Sequence, residues 1–240
     1  MFELYSQRFK CWNGSDLVFA LRKDTCDFNS IQASVVEDEY GLKDFKFDDG
    51  DVIIDVGSET GGEAVVLATL GKRLDIYAFE PIPENYELLK INIITNDAFG
   101  VRPFPVAVGG KVGEIDVYYG SMDCELGRHH HFIGNLGTIP RGDKVRVNLT
   151  TLEEIIKEMK LDRVKLVKLD PEGAEVDIIK ATPSEVLEKI DWIIGEHHRI
   201  KRSELLKLTK GLFDDVPCPY QSDGDLGHFR FRNKKLTNNN

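Results

Sequence analysis

The chain has 240 residues, 41% hydrophobic and 30% charged, with a formal net charge of −10. That length supports one full hydrophobic core, and the acidic balance disfavours DNA or RNA as a partner, because binding them relies on neutralising phosphates. No run approaches the roughly 18–20 apolar residues of a membrane span, and the N-terminal "MFELYSQRFKCW" lacks a signal peptide's apolar stretch. A small molecule or an uncharged glycan suits such a protein better as substrate. Residues 1–50 include a capped helix near "NSIQASVVEDEYG" and are expected to form an N-terminal cap region on a single domain spanning 1–240. "DVIIDV" (51–56) is a short β-branched strand followed by the glycine-bearing turn "GSETGG", and "EAVVLATL" reads as a helix stopped by Gly71. "LDIYAFE" (74–80) is a second strand, after which Pro81 and Pro83 open the helix "PENYELLKINIIT". "VRPFPVAVG" (101–109) is a third strand whose Pro103 and Pro105 place it at a sheet edge, since proline cannot donate to a ladder.

Residues 113–148 hold two alternating segments, "GEIDVYYG" and "DKVRVNL", around a Gly- and His-rich loop, the pattern of an inserted hairpin. "LTTLEEIIKEMK" begins with a capping pattern, Thr150 or Thr151 before Glu153 and Glu154, and continues as an amphipathic helix. "VKLVKLD" is a fourth strand, "EVDIIK" a helix and "DWIIGEHH" (191–198) a fifth strand; 233–240 is expected to be a flexible tail. Strands alternating with helices predict an α/β doubly wound, mostly parallel sheet. The four cysteines, Cys11, Cys26, Cys124 and Cys218, lie far apart without a C-x-x-C pair, and they read as free thiols in a reducing, cytoplasmic compartment.

In open α/β sheets, ligands sit at the carboxyl ends of strands where strand order reverses, so the first strand and its turn matter most. That turn, Asp55-Val56-Gly57-Ser58-Glu59-Thr60-Gly61-Gly62, is not G-x-G-x-x-G: Glu59 stands where a pyrophosphate needs close backbone approach. An acid at the strand end followed by G-x-x-x-G suits a cofactor carrying positive charge and argues against NAD. Glu80 ends the second strand, placed to accept hydrogen bonds from both hydroxyls of a ribose. Gly57 and Gly61 also suit a bare strand–helix turn, and Glu80 a surface acid; the pairing of the two strand ends favours the cofactor site.

"VIIDVGSETG", "IYAFEPIPENYELLKINI", "VAVGGKVGEIDVYYG", "LTTLEEII", "VKLVKLDPEGAEVDIIK" and "WIIGEH" together resemble the FkbM-type methyltransferases over residues 35–200. The resemblance implies a Rossmann-like methyltransferase fold, a seven-stranded sheet ordered 3-2-1-4-5-7-6 with the last strand antiparallel and the inserted hairpin after the third strand. It implies S-adenosylmethionine as cofactor, with Asp55, Gly57 and Gly61 around its methionine part, Ser58 on the same loop, Glu80 with neighbouring Pro81 at the ribose, and Val106 and Ala107 near the adenine. It also implies O-methylation of a hydroxyl on a sugar or other small molecule. A non-catalytic relative that keeps the fold as a cofactor- or ligand-binding module is the alternative.

Methyl transfer to oxygen needs alignment of the nucleophile and a base within hydrogen-bond reach of its proton. Asp170 and Glu172 follow the fourth strand in "KLDPEGAE", with Pro171 keeping Asp170 extended, and Asp170 belongs to the cofactor edge as well. Glu196 and His198 end the fifth strand on one face, and a histidine near its usual pKa is a candidate base. Glu175 reads as a helix-dipole acid. The three histidines of "RHHHF" (128–132) alternate faces in an extended chain, so no metal is expected there, and the loop is a candidate for acceptor specificity. Tyr118, Tyr119 and Phe132 beside it suit either sugar stacking or core packing.

Overall fold

The computed structural model describes residues 3–119, 132–133 and 143–237, with Tyr119, Phe132, Ile133 and Asp143 described as backbone alone. The chain begins with an antiparallel hairpin, β1 (Leu4–Lys10) and β2 (Asp16–Arg22). Helix α1 (Asp27–Ile31) follows and widens into a π-helical turn over Gln32–Glu37 that ends at Asp38 in the left-handed region, φ 55°. The Asp38 carboxylate accepts the amides of Leu42 and Lys43 at 2.6 and 3.1 Å, which starts a 3-10 turn over Leu42–Asp44. This tight path turns Tyr40 into the protein interior.

β3 (Val52–Val56), α2 (Gly62–Ala68), β4 (Asp75–Phe79), α3 (Pro83–Thr95) and β5 (Val101–Phe104) then alternate strand and helix. Pro83 opens α3 at no cost in hydrogen bonding, because a helix leaves its first amides unpaired. Asn92 in the last turn of α3 and Asn96 at its C-cap grip the open edge of β2. The amides of Ala20 and Val18 donate to their Oδ1 atoms at 2.7 and 2.9 Å, and Asn96 Nδ2 returns a bond to the Val18 carbonyl. Side-chain amides thereby replace a neighbouring strand, and β2's backbone groups are not left orphaned.

The third strand expected over 101–109 is divided. β5 pairs with β4 only, carries Pro103 and forms the sheet edge. After Pro105, which cannot donate to a ladder, the chain leaves for a second sheet made of β6 (Ala107–Val108), β7 (Gly113–Tyr119), β8 (Phe132–Ile133) and β9 (Asp143–Thr150). The two alternating segments over 113–148 pair antiparallel as β7 and β9. Their connecting loop with His129, His130 and His131 lies outside the described residues, as do Cys124 and the side chains of Tyr119 and Phe132. Tyr118 is described, and the Lys144 ammonium sits 5.8 Å from its ring centroid.

α4 (Leu152–Glu158) is capped as its sequence indicates, with Thr151 Oγ1 accepting the Glu154 amide at 3.2 Å. β10 (Val164–Leu169), α5 (Glu175–Ala181), α6 (Ser184–Leu187), β11 (Ile190–His198), α7 (Arg202–Leu208), β12 (Phe213–Asp215) and β13 (Leu226–Asn233) complete the chain. The main sheet has seven strands in the order β12-β13-β11-β10-β3-β4-β5. Its β11-to-β5 part is parallel, and β13 runs antiparallel to both of its neighbours. One face packs against the hairpin, α1, α2 and α3 through Ile53, Ile76, Leu166 and Ile194; the other packs against α4, α5 and α7 through Ile54, Val167, Ile193 and Phe229. Strand order reverses at β3, between β4 and β10, and opens a crevice at the carboxyl ends there.

Two expectations are corrected. Asn233, the first residue of the expected tail, is buried and donates from Nδ2 to the carbonyls of Leu187 and Ile190 at 3.4 and 2.9 Å, so the chain is anchored where fraying was to begin. Cys26 is disulfide-bonded, whereas Cys11 and Cys218 are free thiols.

Candidate active site

The turn after β3 is shaped by close backbone approach. Gly57 lies at φ 75°, and a Cβ there would collide with the carbonyl oxygen of Asp170. The amides of Gly57 and Ser58 both donate to the Phe79 carbonyl, and the Asp170 amide donates to the Val56 carbonyl at 3.0 Å. The ends of β3, β4 and β10 are thus tied together. Gly61, at φ 93°, leads into α2, and a Cβ there would stand 2.6 Å from a Leu89 methyl.

A cavity of about 600 Å³ opens over this junction. Its walls are Gly57, Ser58 and Glu59 of the turn, Ser34, Glu39 and Tyr40 of the N-terminal segment, and Asp170, Glu172, Glu196 and His198 at the ends of β10 and β11. The four residues singled out as catalytic candidates are therefore brought together. Among the cofactor candidates, Gly57, Ser58 and Asp170 line the cavity, while Asp55, Gly61, Glu80, Pro81, Val106 and Ala107 do not.

Asp55 and Glu80 are each enclosed by other parts of the protein. Asp55 is buried and faces the Lys168 ammonium at 3.2 Å, so its charge is answered from within the protein. Glu80 is buried too, and its carboxyl accepts the Glu59 amide at 2.9 Å, the Ile82 amide at 2.9 Å and Asn85 Nδ2 at 3.4 Å. Burial outweighs those hydrogen bonds and pushes its pKa up to about 8. Val106 and Ala107 depart with the chain toward the second sheet, away from the crevice.

Lys168 is the central cation. Besides Asp55 it donates to the Gly57 carbonyl at 2.8 Å, lies 4.0 Å from Asp170 and 5.3 Å from the centroid of the Tyr40 ring. Burial alone would lower its pKa, but the carboxylates of Asp55, Glu63 and Asp170 raise it, so it stays charged. Tyr40 donates its hydroxyl to Asp170 Oδ2 at 2.8 Å and stacks on His228, centroids 4.9 Å apart. Burial, then Asp170, raises the Tyr40 pKa well above its usual value and keeps it a phenol donor. The other oxygen of Asp170, Oδ1, is enclosed and has no hydrogen-bond partner. On the N-terminal side of the cavity, burial followed by Glu63 pushes the Glu39 pKa up to about 9, and burial raises that of Glu63.

His198 does not match the expected base. Its Nδ1 meets Glu175 Oε1 at 2.8 Å, and its Nε2 meets Glu172 and Glu196 at 3.3 and 3.5 Å. Burial opposes its charge, but Glu175 and Glu196 raise its pKa to about 11, so in this arrangement it is an imidazolium with no capacity to accept a proton. Glu175 is fully buried, and its Oε1 also accepts the Gly173 amide at 2.9 Å; it orients His198 rather than merely complementing a helix dipole. Burial, then Asp170, raises the pKa of Glu172 well above the usual range.

Sequence reasoning missed Lys168, Tyr40, Glu39 and Glu63. Lys168 left a trace, a lysine among the valines and leucines of the expected fourth strand. Tyr40 and Glu39 left none, since 130 residues separate Tyr40 from the carboxylate it holds.

A mostly parallel α/β sheet with an acid-lined cavity at its reversal point defines a doubly wound α/β class of protein. The chain belongs to the FkbM methyltransferase family: residues 55–216 match the Methyltransferase FkbM domain. It is 24% identical over 201 residues to the 2-O-methyltransferase NoeI of Sinorhizobium fredii, covering 77% of this chain and 80% of NoeI. It is 24% identical over 152 residues to the hexuronic acid methyltransferase AglP of Haloferax volcanii, covering 63% and 57%. The match to methyltransferase SdnD of Sordaria araneosa, 25% identical, covers 60% of this chain and 65% of that protein. Among solved structures, a putative rRNA methylase from Clostridium thermocellum is similar with a TM-score of 0.47 at 12% identity, over 89% of this chain and 100% of that one. No helix among the described residues is long and apolar enough to cross a membrane.

Proposed function

We propose that this protein is an S-adenosylmethionine-dependent O-methyltransferase acting on a hydroxyl of a sugar or other small molecule. The observation that carries the reading is the convergence of Asp170, Glu172, Glu196 and His198 on one cavity beside the Gly57 turn. When bound, S-adenosylmethionine supplies an electrophilic methyl on a positively charged sulfur and leaves as the neutral thioether. The residues present fit that group: Gly57 leaves room beside the Asp170 carbonyl that no side chain could share, and the cavity wall is rich in carboxylates suited to a cation. Gly57 and Ser58 hold the methionine end, and Glu80, freed of the Glu59 amide, holds the ribose. Asp170 and Glu172 bind the acceptor hydroxyl, and one of them receives its proton as the new C–O bond forms. The names of NoeI and AglP, a 2-O-methyltransferase and a hexuronic acid methyltransferase, support a sugar oxygen as the acceptor.

Calorimetry with S-adenosylmethionine, its demethylated product and NAD tests the cofactor. Heat with both sulfur compounds and none with NAD is expected. No heat with either, from protein shown to be folded, overturns the reading. With a panel of sugars, a mass gain of one methyl that vanishes in Asp170→Asn, while cofactor binding persists, supports the assigned acceptor wall.

A further inference from the structure

The wall formed by the ends of β10 and β11 concentrates carboxyl groups, with Lys168 and Arg199 lining the same cavity as cations. Asp170, Glu172, Glu175 and Glu196 gather around a single imidazole. Lys168 stands 4.0 Å from Asp170, but its ammonium is already engaged by Asp55 and by the Gly57 carbonyl. One ligand atom from each of Asp170, Glu196 and His198 lies within 4.8 Å of the others, a spread that small side-chain rotations close around an ion held at about 2.0–2.2 Å.

The histidine is set up from behind. Glu175, fully buried and fixed by the Gly173 amide, takes Nδ1, and this turns Nε2 toward the cavity-lining acids. A buried carboxylate on the far nitrogen is the arrangement that orients a metal-binding histidine. Two further oxygens lack hydrogen-bond partners although they are enclosed: Asp170 Oδ1 in the wall itself and Oε2 of Glu175 behind it.

We propose that Asp170, Glu196 and His198 bind a divalent cation at the cavity wall, the ion displacing the Nε2 proton of the imidazolium to solvent, and that this cation chelates an acceptor carrying a second oxygen next to the hydroxyl to be methylated. Two carboxylates and one imidazole suit Mn²⁺ or Zn²⁺ better than Ca²⁺. Bound to the ion, the hydroxyl loses its proton more readily; Glu172, beside the ligands, accepts it, and the O–H electrons become the nucleophile. Glu175 is a positioning residue. The inference rests on the methyltransferase reading and selects among acceptors: vicinal diols or hydroxy acids rather than isolated alcohols.

The test uses the full chain, stripped with chelator and titrated with Mn²⁺ by electron paramagnetic resonance and with Zn²⁺ by calorimetry. One saturable site is expected. Asp170→Asn and Glu196→Gln should each weaken it by about 100-fold, and Glu175→Gln by about 10-fold through loss of the outer carboxylate. Circular dichroism on each variant separates loss of site from loss of fold. No saturable site in the folded wild type, or binding unchanged in a folded Asp170→Asn/Glu196→Gln double variant, overturns the proposal. If the metal fails to bind but S-adenosylmethionine binds, the cation site falls and the methyltransferase reading stands; if neither binds, both fall.

Discussion

The two halves of the crevice carry acids at equivalent strand ends and treat them in opposite ways. On the β3–β4 side, Asp55 is buried against the Lys168 ammonium with neither oxygen in a hydrogen bond, and Glu80 accepts two backbone amides, so both carboxyls are enclosed and neither lines the cavity. On the β10–β11 side, Asp170, Glu172 and Glu196 share a cavity wall with one imidazole, and Asp170 keeps an oxygen without a partner. The difference lies in what the local backbone supplies. The tight Gly57 turn brings the Glu59 amide to Glu80 and the Gly57 carbonyl to Lys168, whereas the turn after β10, left-handed at Glu172 (φ 54°) and Gly173 (φ 111°), donates the Gly173 amide to Glu175 behind the wall. An acid at a strand end is therefore enclosed or cavity-facing according to the turn that follows it.

The comparison breaks most sharply at Lys168. Lys168→Met leaves Asp55 buried without its counter-charge and should cost about 3–5 kcal/mol in urea unfolding, and Asp55→Asn in the same chain should recover much of it. An equally stable Lys168→Met protein would show that the β3 side is not internally paired. A second, smaller effect is pH dependence. Because the Glu80 pKa lies near 8 in the folded state and near 4.5 when unfolded, the native state holds the extra proton, and this contribution to stability is lost as pH rises from about 4.5 through 8. Cofactor affinity should move the other way, since ribose hydroxyls donate to the ionised carboxylate: a gain of about tenfold or more from pH 6.5 to 8.5. Calorimetry across that range should show the rise in wild type and a flat, weaker profile in Glu80→Gln. On the opposite side, Tyr40→Phe removes one hydrogen bond to Asp170 and should cost about 1.5 kcal/mol or somewhat more in denaturant stability, with cofactor affinity retained. Thr151→Ala is the far control: losing the α4 cap should cost about 1 kcal/mol in thermal unfolding and leave ligand binding untouched.

Much of this was legible beforehand because it depends on local rules. β-branched runs between helical spacers marked the strands, prolines marked β5 as an edge, and Thr150 or Thr151 before Glu153 and Glu154 marked the start of α4, a choice the structure resolves to Thr151. Asp170, Glu172, Glu196 and His198 could be named from their places after buried strands, since a parallel sheet presents those ends to its ligand. The division of 101–109 between two sheets was not legible, because a proline ends pairing without saying where the chain goes next.

By itself, then, the sequence determined which residues reach the carboxyl ends of the strands, through hydrophobic period and turn chemistry acting over a few neighbours. Only the tertiary structure decided what each acid does there. Charge state and free lone pairs depend on atoms a few ångströms away in space, and those come from distant segments: Tyr40 for Asp170, Lys168 for Asp55, Glu175 for His198. Electrostatic interaction falls off with distance through space and takes no account of separation along the chain.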